Sequence, residues 1–218
     1  MIGTMPTQGI DSAPRARFAS ACDLGERLIV LAVYVGLVAR LIVSTWQEGQ
    51  PANLLLIPSE GLVVIFLLFR RRTDQISMRW QDWILALSAT LSPMLVEPGV
   101  AQALVPVTVG AALLIMGTII QVHAKLTLGR SFGCVPAHRG LKLAGPYRFV
   151  RHPMYAGYLL GHVAFLLMNP TLWNVAAYAV CYALQIPRLV AEERLLANDR
   201  AYREYQAAVK YRLIPGIF

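Results

Sequence analysis

What this sequence is short of says most about it at first. Charged residues fill only 15% of its 218 positions, against roughly a quarter in an ordinary soluble domain, and acidic residues number 12. Too few polar side chains are present to cover a water-facing surface, which excludes a soluble globular domain. Cysteine is scarce as well. Cys22, Cys134 and Cys181 are an odd number with no CxxC spacing, so a disulfide framework and a paired-ligand zinc site are both excluded, and no metal site is expected. Internal repeats and low-complexity segments are lacking. Residues 1–23 have no apolar core ahead of a cleavage site, so a flexible cytoplasmic tail followed by a retained helix is expected rather than a signal peptide.

What is there instead is apolar sequence, 56% of the chain, with a mean hydropathy of +0.52. A bilayer-crossing helix needs about 20 predominantly apolar residues. Runs approaching that length occupy 28–45, 54–69, 83–96, 104–122, 154–168 and 172–186, the last two joined by the turn Asn169-Pro170. The shorter runs also fit buried or re-entrant helices. The expectation is an all-α integral membrane protein of about six helices, divided into a tail (1–23), an N-terminal helical part (24–122) and a C-terminal functional core (123–218).

Charge placement fits that count. With the N-terminus in the cytoplasm, every lysine and arginine except Arg40 falls at a cytoplasmic end: before the first span, at Arg70–Arg79, between Lys125 and Arg151, or beyond Arg188. This obeys the positive-inside rule for a multi-pass protein with both termini cytoplasmic. The net charge of +8 is therefore a matter of topology, and no nucleic-acid partner is implied. Arg40 and Glu60 read as lying near helix ends, with no charge at mid-membrane.

Two cytoplasmic stretches are too polar to be mere connections. Residues 123–152 form a long loop, and loops of such length usually carry function. The glycines of its LGRSFG and GLKLAGP runs allow close backbone approach to a ligand. The loop ends in GPYRFVRHPMYAG, where Pro153 suits the first turn of a helix and His152 stands at its N-cap beside free amides that attract an anion. The second stretch, 188–218, is amphipathic and helical. Arg188 and Glu192 share one of its faces, while Glu193 points elsewhere. Gly157 and Gly161 let a helix approach closely, as the last helical hairpin requires. His162, deeper in that span, reads as a hydrogen-bonded structural residue; His123 and His138 have no assigned role.

The run GPYRFVRHPMYAG, followed by two closely spaced spans, Arg188, Glu192-Glu193-Arg194-Leu195-Leu196 and the Tyr202/Tyr205 pair, resembles the isoprenylcysteine carboxyl methyltransferase family. It also resembles the related integral-membrane phospholipid methyltransferases. The resemblance covers residues 121–218. It implies S-adenosyl-L-methionine as methyl donor, bound by Arg139, Gly140, Leu141, Lys142, Tyr147, His152, Pro153, Met154, Tyr155 and Glu192. It implies Arg188 as the residue that addresses a substrate carboxylate. Arg139 and Gly140 depart from the polar pair of the eukaryotic enzymes, where backbone contacts alone are expected to survive.

The chemistry of those residue types suits that ligand. His152 and the helix N-terminus suit a carboxylate, Glu192 an amino group or ribose, and Tyr147 and Tyr155 an adenine ring. A carboxylate acceptor is already ionised at neutral pH, so alignment rather than a general base is needed. The acceptor is expected to be lipophilic and to arrive from the bilayer, with methyl ester formation on a carboxylate as the leading reading. Phospholipid, phenolic-lipid and thiol acceptors remain open, as does a non-catalytic transporter or lipid-binding scaffold. With a phenol or thiol, His152, Tyr147 or Glu192 would serve as base. The sequence leaves the oligomeric state open.

Overall fold

A computed structural model describes residues 12–47, 53–97 and 102–218 of the chain. The described residues are almost wholly helical, with no strand and one isolated bridge between Ile76 and Ala137. The helices are α1 (Ser12–Gln47), α2 (Asn53–Phe69), α3 (Trp80–Leu91), α4 (Val107–Leu128), α5 (Pro153–Met168), α6 (Leu172–Leu196) and α7 (Arg200–Ala208). Two segments, Arg17–Gln47 and Val107–Ser131, are long and apolar enough to cross a bilayer, and Glu60–Phe69 and Pro153–Met168 are shorter apolar helices. Large apolar side chains including Leu28, Ile65, Ile84 and Ile119 point outward, the arrangement expected where the surrounding solvent is lipid.

Several boundaries differ from the sequence expectation; α4 runs on to Leu128, so residues 123–128 of the expected long loop are helical. Helix α1 begins at Ser12, so residues 12–23, expected as flexible tail, are helical, and Asp23 is buried; residues 1–11 of that tail lie outside the described residues. Helix α6 does not stop at 186 but continues through Pro187 to Leu196. The expected C-terminal amphipathic segment is therefore two pieces, the end of α6 and the separate α7. Asp199 caps α7 by accepting from the Ala201 amide at 2.8 Å, which fixes the break between them.

The bundle has two polar ends. At one, Asn174 exchanges hydrogen bonds with the Glu97 backbone, both at 2.9 Å, and Leu104 N donates to Leu167 O. At the other, residues 71–77 lie alongside 130–138: Arg71 N donates to Arg130 O, Ser77 N to Pro136 O and His138 N to Gln75 O. The basic loops that the charge pattern assigns to one side are thus hydrogen-bonded to each other.

Small residues decide which helices touch. The close partner of Gly157 and Gly161 is α4, not α6 as the hairpin reading expected. A Cβ on Gly157 would stand 2.7 Å from Gln121 Cγ and 2.8 Å from Gly117 O, whereas one on Gly161 would meet nothing nearer than 3.8 Å. We expect Gly157→Ala to cost about 1–3 kcal/mol by overpacking and Gly161→Ala to be nearly neutral. Thermal unfolding of the two variants in the same detergent checks this.

The interior also holds charge that the sequence reading did not place there. Glu60 lies at mid-length of α2, not near an end, and accepts from Lys125 Nζ of α4 at 3.1 Å, with Lys125 fully buried. That ammonium also sits 5.4 Å from the centre of the Tyr158 ring on α5, a cation-π position. His162 bonds the Tyr182 hydroxyl at 2.9 Å and stacks on Tyr178, tying α5 to α6 as the structural histidine expected.

Candidate functional site

At the end of the bundle carrying the basic loops, the long loop, the start of α5, the end of α6 and α7 line a cleft open to solvent. Of the ten residues expected around a cofactor, Arg139, Gly140, Leu141, Lys142, Tyr147, His152, Met154, Tyr155 and Glu192 line it. Pro153 does not; it is fully buried as the first residue of α5. Tyr202 and Tyr205 of α7 complete the wall.

The loop reaches the cleft because glycine holds its turns. Gly140 has φ +92° and Gly145 φ +59°, values that side-chain-bearing residues rarely adopt. Tyr205 donates from its hydroxyl to Tyr147 O at 2.7 Å, pinning α7 to the loop. Burial pushes the Tyr147 hydroxyl well above its ordinary value and that of Tyr205 up to about 12. Both phenols are neutral at physiological pH and act as hydrogen-bonding walls, so Tyr147 is a poor general base.

His152 is placed as the N-cap residue of α5, but its ring does not cap the helix. Its Nε2 lies 3.1 Å from Glu193 Oε1, so that edge of the ring is not available to a ligand carboxylate. The amides of the first turn remain for that purpose, as they have no intrahelical acceptor, and Met154 and Tyr155 carry them at the cleft wall.

Glu193, expected to point elsewhere, is the hub of this corner. It pairs with Arg151 Nε at 2.8 Å and Arg212 Nε at 3.0 Å besides His152. Adjacent glutamates on a helix diverge by about 100°; Glu192 faces the cleft and Glu193 the start of α5. The second glutamate of the pair was the available signal. Burial opposes ionisation of Glu193, but the hydrogen bond and charge of His152, with Arg151 and Arg212, hold its carboxyl below the usual range.

That depression gives a sign. A carboxyl depressed on folding contributes stability that is complete above its unfolded value, about 4.3, and lost as pH falls through the folded one. At neutral pH, Glu193→Gln is expected to lower the thermal midpoint by about 5 °C, and the gap between variant and wild type should close below about pH 4. Unfolding midpoints measured across that range check it.

Arg139 lines the cleft with little more than its edge. Its guanidinium turns inward, 2.6 Å from Asp23 and 3.3 Å from Glu26, and Gly133 makes room, since a Cβ there would collide with Arg139 Nη1. Arg70 pairs with the same two acids. Glu26 Oε1 also accepts from Cys134 N at 2.8 Å and Val135 N at 3.3 Å. These four buried side chains lock α1, the end of α2 and the long loop together. Asp23 and Glu26 were not singled out by sequence reasoning, and the Arg139 guanidinium is committed to this network.

Arg188 lies behind Tyr155, its Cζ 5.7 Å from the ring centre. It is buried and donates to Cys134 O at 3.0 Å, Thr90 Oγ1 at 3.3 Å and Gln185 Oε1 at 3.5 Å. Its Nε has no hydrogen-bond partner, and among the described residues no carboxylate lies within ion-pair distance of the guanidinium. A buried cation without an ion-pair partner is costly, and Glu192, one turn along α6, is an acid that interacts with it electrostatically.

The sequence is similar to those of known proteins. Residues 105–204 match the family model described as phospholipid methyltransferase. The chain is 34% identical to protein-S-isoprenylcysteine O-methyltransferase A of Arabidopsis thaliana, over 48% of this chain and 57% of that protein. It is 31% identical to protein-S-isoprenylcysteine O-methyltransferase B of the same plant, over 51% and 61%, and 36% identical to a probable protein-S-isoprenylcysteine O-methyltransferase of rice (Oryza sativa subsp. indica), over 46% and 57%. The alignments thus span less than two thirds of these relatives. They uphold the resemblance to the isoprenylcysteine carboxyl methyltransferase family carried by the C-terminal half.

Proposed function

We propose that the protein is an integral-membrane methyltransferase that uses S-adenosyl-L-methionine to form a methyl ester on the carboxylate of a lipophilic acceptor. The names of its relatives support O-methylation. The observation that carries the choice of a carboxylate is Arg188, a buried guanidinium with no acidic partner among the described residues. In the proposed topology the chain crosses the bilayer about six times, with both termini and the cleft on the cytoplasmic side.

The cleft fits the methyl donor in the chemistry of its lining. Lys142 and the first-turn amides of α5 would hold the donor's carboxylate, Glu192 its amino group or ribose hydroxyls, and Tyr147, Tyr202 and Tyr205 its adenine. Gly140 allows the loop backbone to approach. Bound there, the donor would supply a sulfonium-activated methyl group, and a carboxylate acceptor, already ionised at neutral pH, would need no proton removed. The protein therefore has to align and desolvate rather than supply a base. Arg188 would orient the acceptor through its charge and its unpartnered Nε, and Tyr155 stands between it and the cleft.

A phenolic, thiol or amine acceptor needs proton removal. Tyr147 is kept neutral by burial and His152 is held by Glu193, which favours the carboxylate. Incubation of the purified protein with labelled methyl donor and total lipid extract tests the reading. A base-labile labelled lipid is expected; a stable ether or amine, or no labelled lipid, overturns it. Glu192→Gln should weaken donor binding about tenfold, measured by equilibrium binding of the labelled donor without acceptor.

A further inference from the structure

The start of α5 and one face of that helix carry rings at intervals of three and four residues, His152, Tyr155, Tyr158 and His162, so that each stands over the next. The file begins at the cleft, where His152 and Tyr155 line the wall with their rings edge-on and 5.7 Å between centres. It runs inward from Tyr155 to Tyr158, again edge-on, at 6.3 Å, and from Tyr158 to His162, stacked, at 6.3 Å. Each of the two tyrosines also meets a buried cation from another helix. Arg188 of α6 lies against Tyr155, and Lys125 of α4 lies 5.4 Å from the centre of the Tyr158 ring. The Lys125 ammonium is itself held by Glu60 of α2 at 3.1 Å.

A buried ion pair adds little net stability, and apolar residues of similar volume often serve as well. Ionisable groups kept inside a membrane bundle therefore point to a role beyond packing. We propose that Lys125, held by Glu60, is a positioning residue of the transfer site: it fixes the ring of Tyr158, and Tyr158 fixes that of Tyr155, which stands between the donor cleft and Arg188. The proposal rests on the methyl-transfer reading above. A cation prefers the face of an aromatic ring, so Lys125 selects one orientation of Tyr158, and the edge-on contact passes that orientation to Tyr155. Glu60 keeps the ammonium from reaching toward the interface. Methyl transfer depends on alignment, and a misplacement of about 1 Å costs about a hundredfold in rate. A tilt of Tyr155 thus reaches the rate from a pair that lies outside the cleft lining.

Lys125→Met alone strands a buried acid, so the decisive variant is the charge-free Glu60→Gln/Lys125→Met, studied as the full chain in lipid nanodiscs. Its thermal midpoint and donor binding should match those of the wild type, while kcat for transfer to a carboxylate lipid falls about tenfold. Tyr158→Leu should reproduce the fall; Tyr158→Phe, which keeps the ring, and Lys125→Arg, which keeps a cation beside it, should restore the rate. A 3-fluorotyrosine in place of Tyr155 alone, read by fluorine NMR without donor or acceptor, should give a narrow line that broadens in the charge-free variant. A line that stays narrow, or a kcat that stays at the wild-type level, overturns the proposal. Loss of thermal midpoint and donor binding in step with kcat overturns it as well, since the pair would then be structural. A line that broadens in a protein that methylates no carboxylate lipid leaves the positioning of Tyr155 standing and removes the methyl-ester reading instead.

Discussion

Arg188→Lys should lower kcat/KM for the acceptor about a hundredfold or more while leaving binding of the methyl donor unchanged. The guanidinium is braced from three sides by Cys134, Thr90 and Gln185, so its remaining edge is fixed in space before any acceptor arrives. Lysine keeps the charge but cannot reproduce that frame or the fixed position of Nε. Loss of one partner from a desolvated charge pair costs about 2–5 kcal/mol, which corresponds to the expected fall. Arg188→Ala should be worse still. The readouts are steady-state transfer to a carboxylate lipid and, separately, equilibrium binding of labelled donor. If both fell together, Arg188 would be a structural residue of the cleft; if neither fell, it would have no acceptor role.

Glu26→Gln should be the most destabilising single change in the polar end of the bundle, at about 3–5 kcal/mol. The glutamine keeps the shape and can still accept from the Cys134 amide, so what is lost is charge. Arg70 and Arg139 are then left buried with Asp23 as their one remaining acid. The double variant Glu26→Gln/Arg139→Gln restores charge balance and should recover part of the loss, a non-additivity expected of residues in one network. Thermal unfolding in detergent reports both. Additive losses would mean that the four side chains do not act as a unit.

The parts of the site legible in the sequence were those carried by one continuous motif. His152, Pro153 and Tyr155 stand together because a proline can open a helix, and Arg188 and Glu192 lie on one helix at neighbouring turns. The loop that carries Tyr147 was legible by its length and its glycines. These are local facts, and local chemistry dictates them. The use each side chain makes of its charge was less legible. The His152 edge is taken by Glu193, 41 residues away, and Arg139 by Asp23, 116 residues away. No spacing rule links such pairs.

The same division runs through the whole protein. By itself the sequence determined that the chain is helical, apolar outward and sided, because composition, run length and arginine placement act through the solvent on each segment separately. It also fixed which residue types meet at the long loop. Only the tertiary structure decided that α4, not α6, is the close neighbour of α5, that Glu60 and Lys125 meet inside the bundle, and that Asp23 and Glu26 neutralise the loop's arginine while Arg188 has no acid within ion-pair distance among the described residues. A buried charge must find its partner wherever the fold puts one. Which cation is matched with an acid and which is not is therefore settled by packing among distant helices.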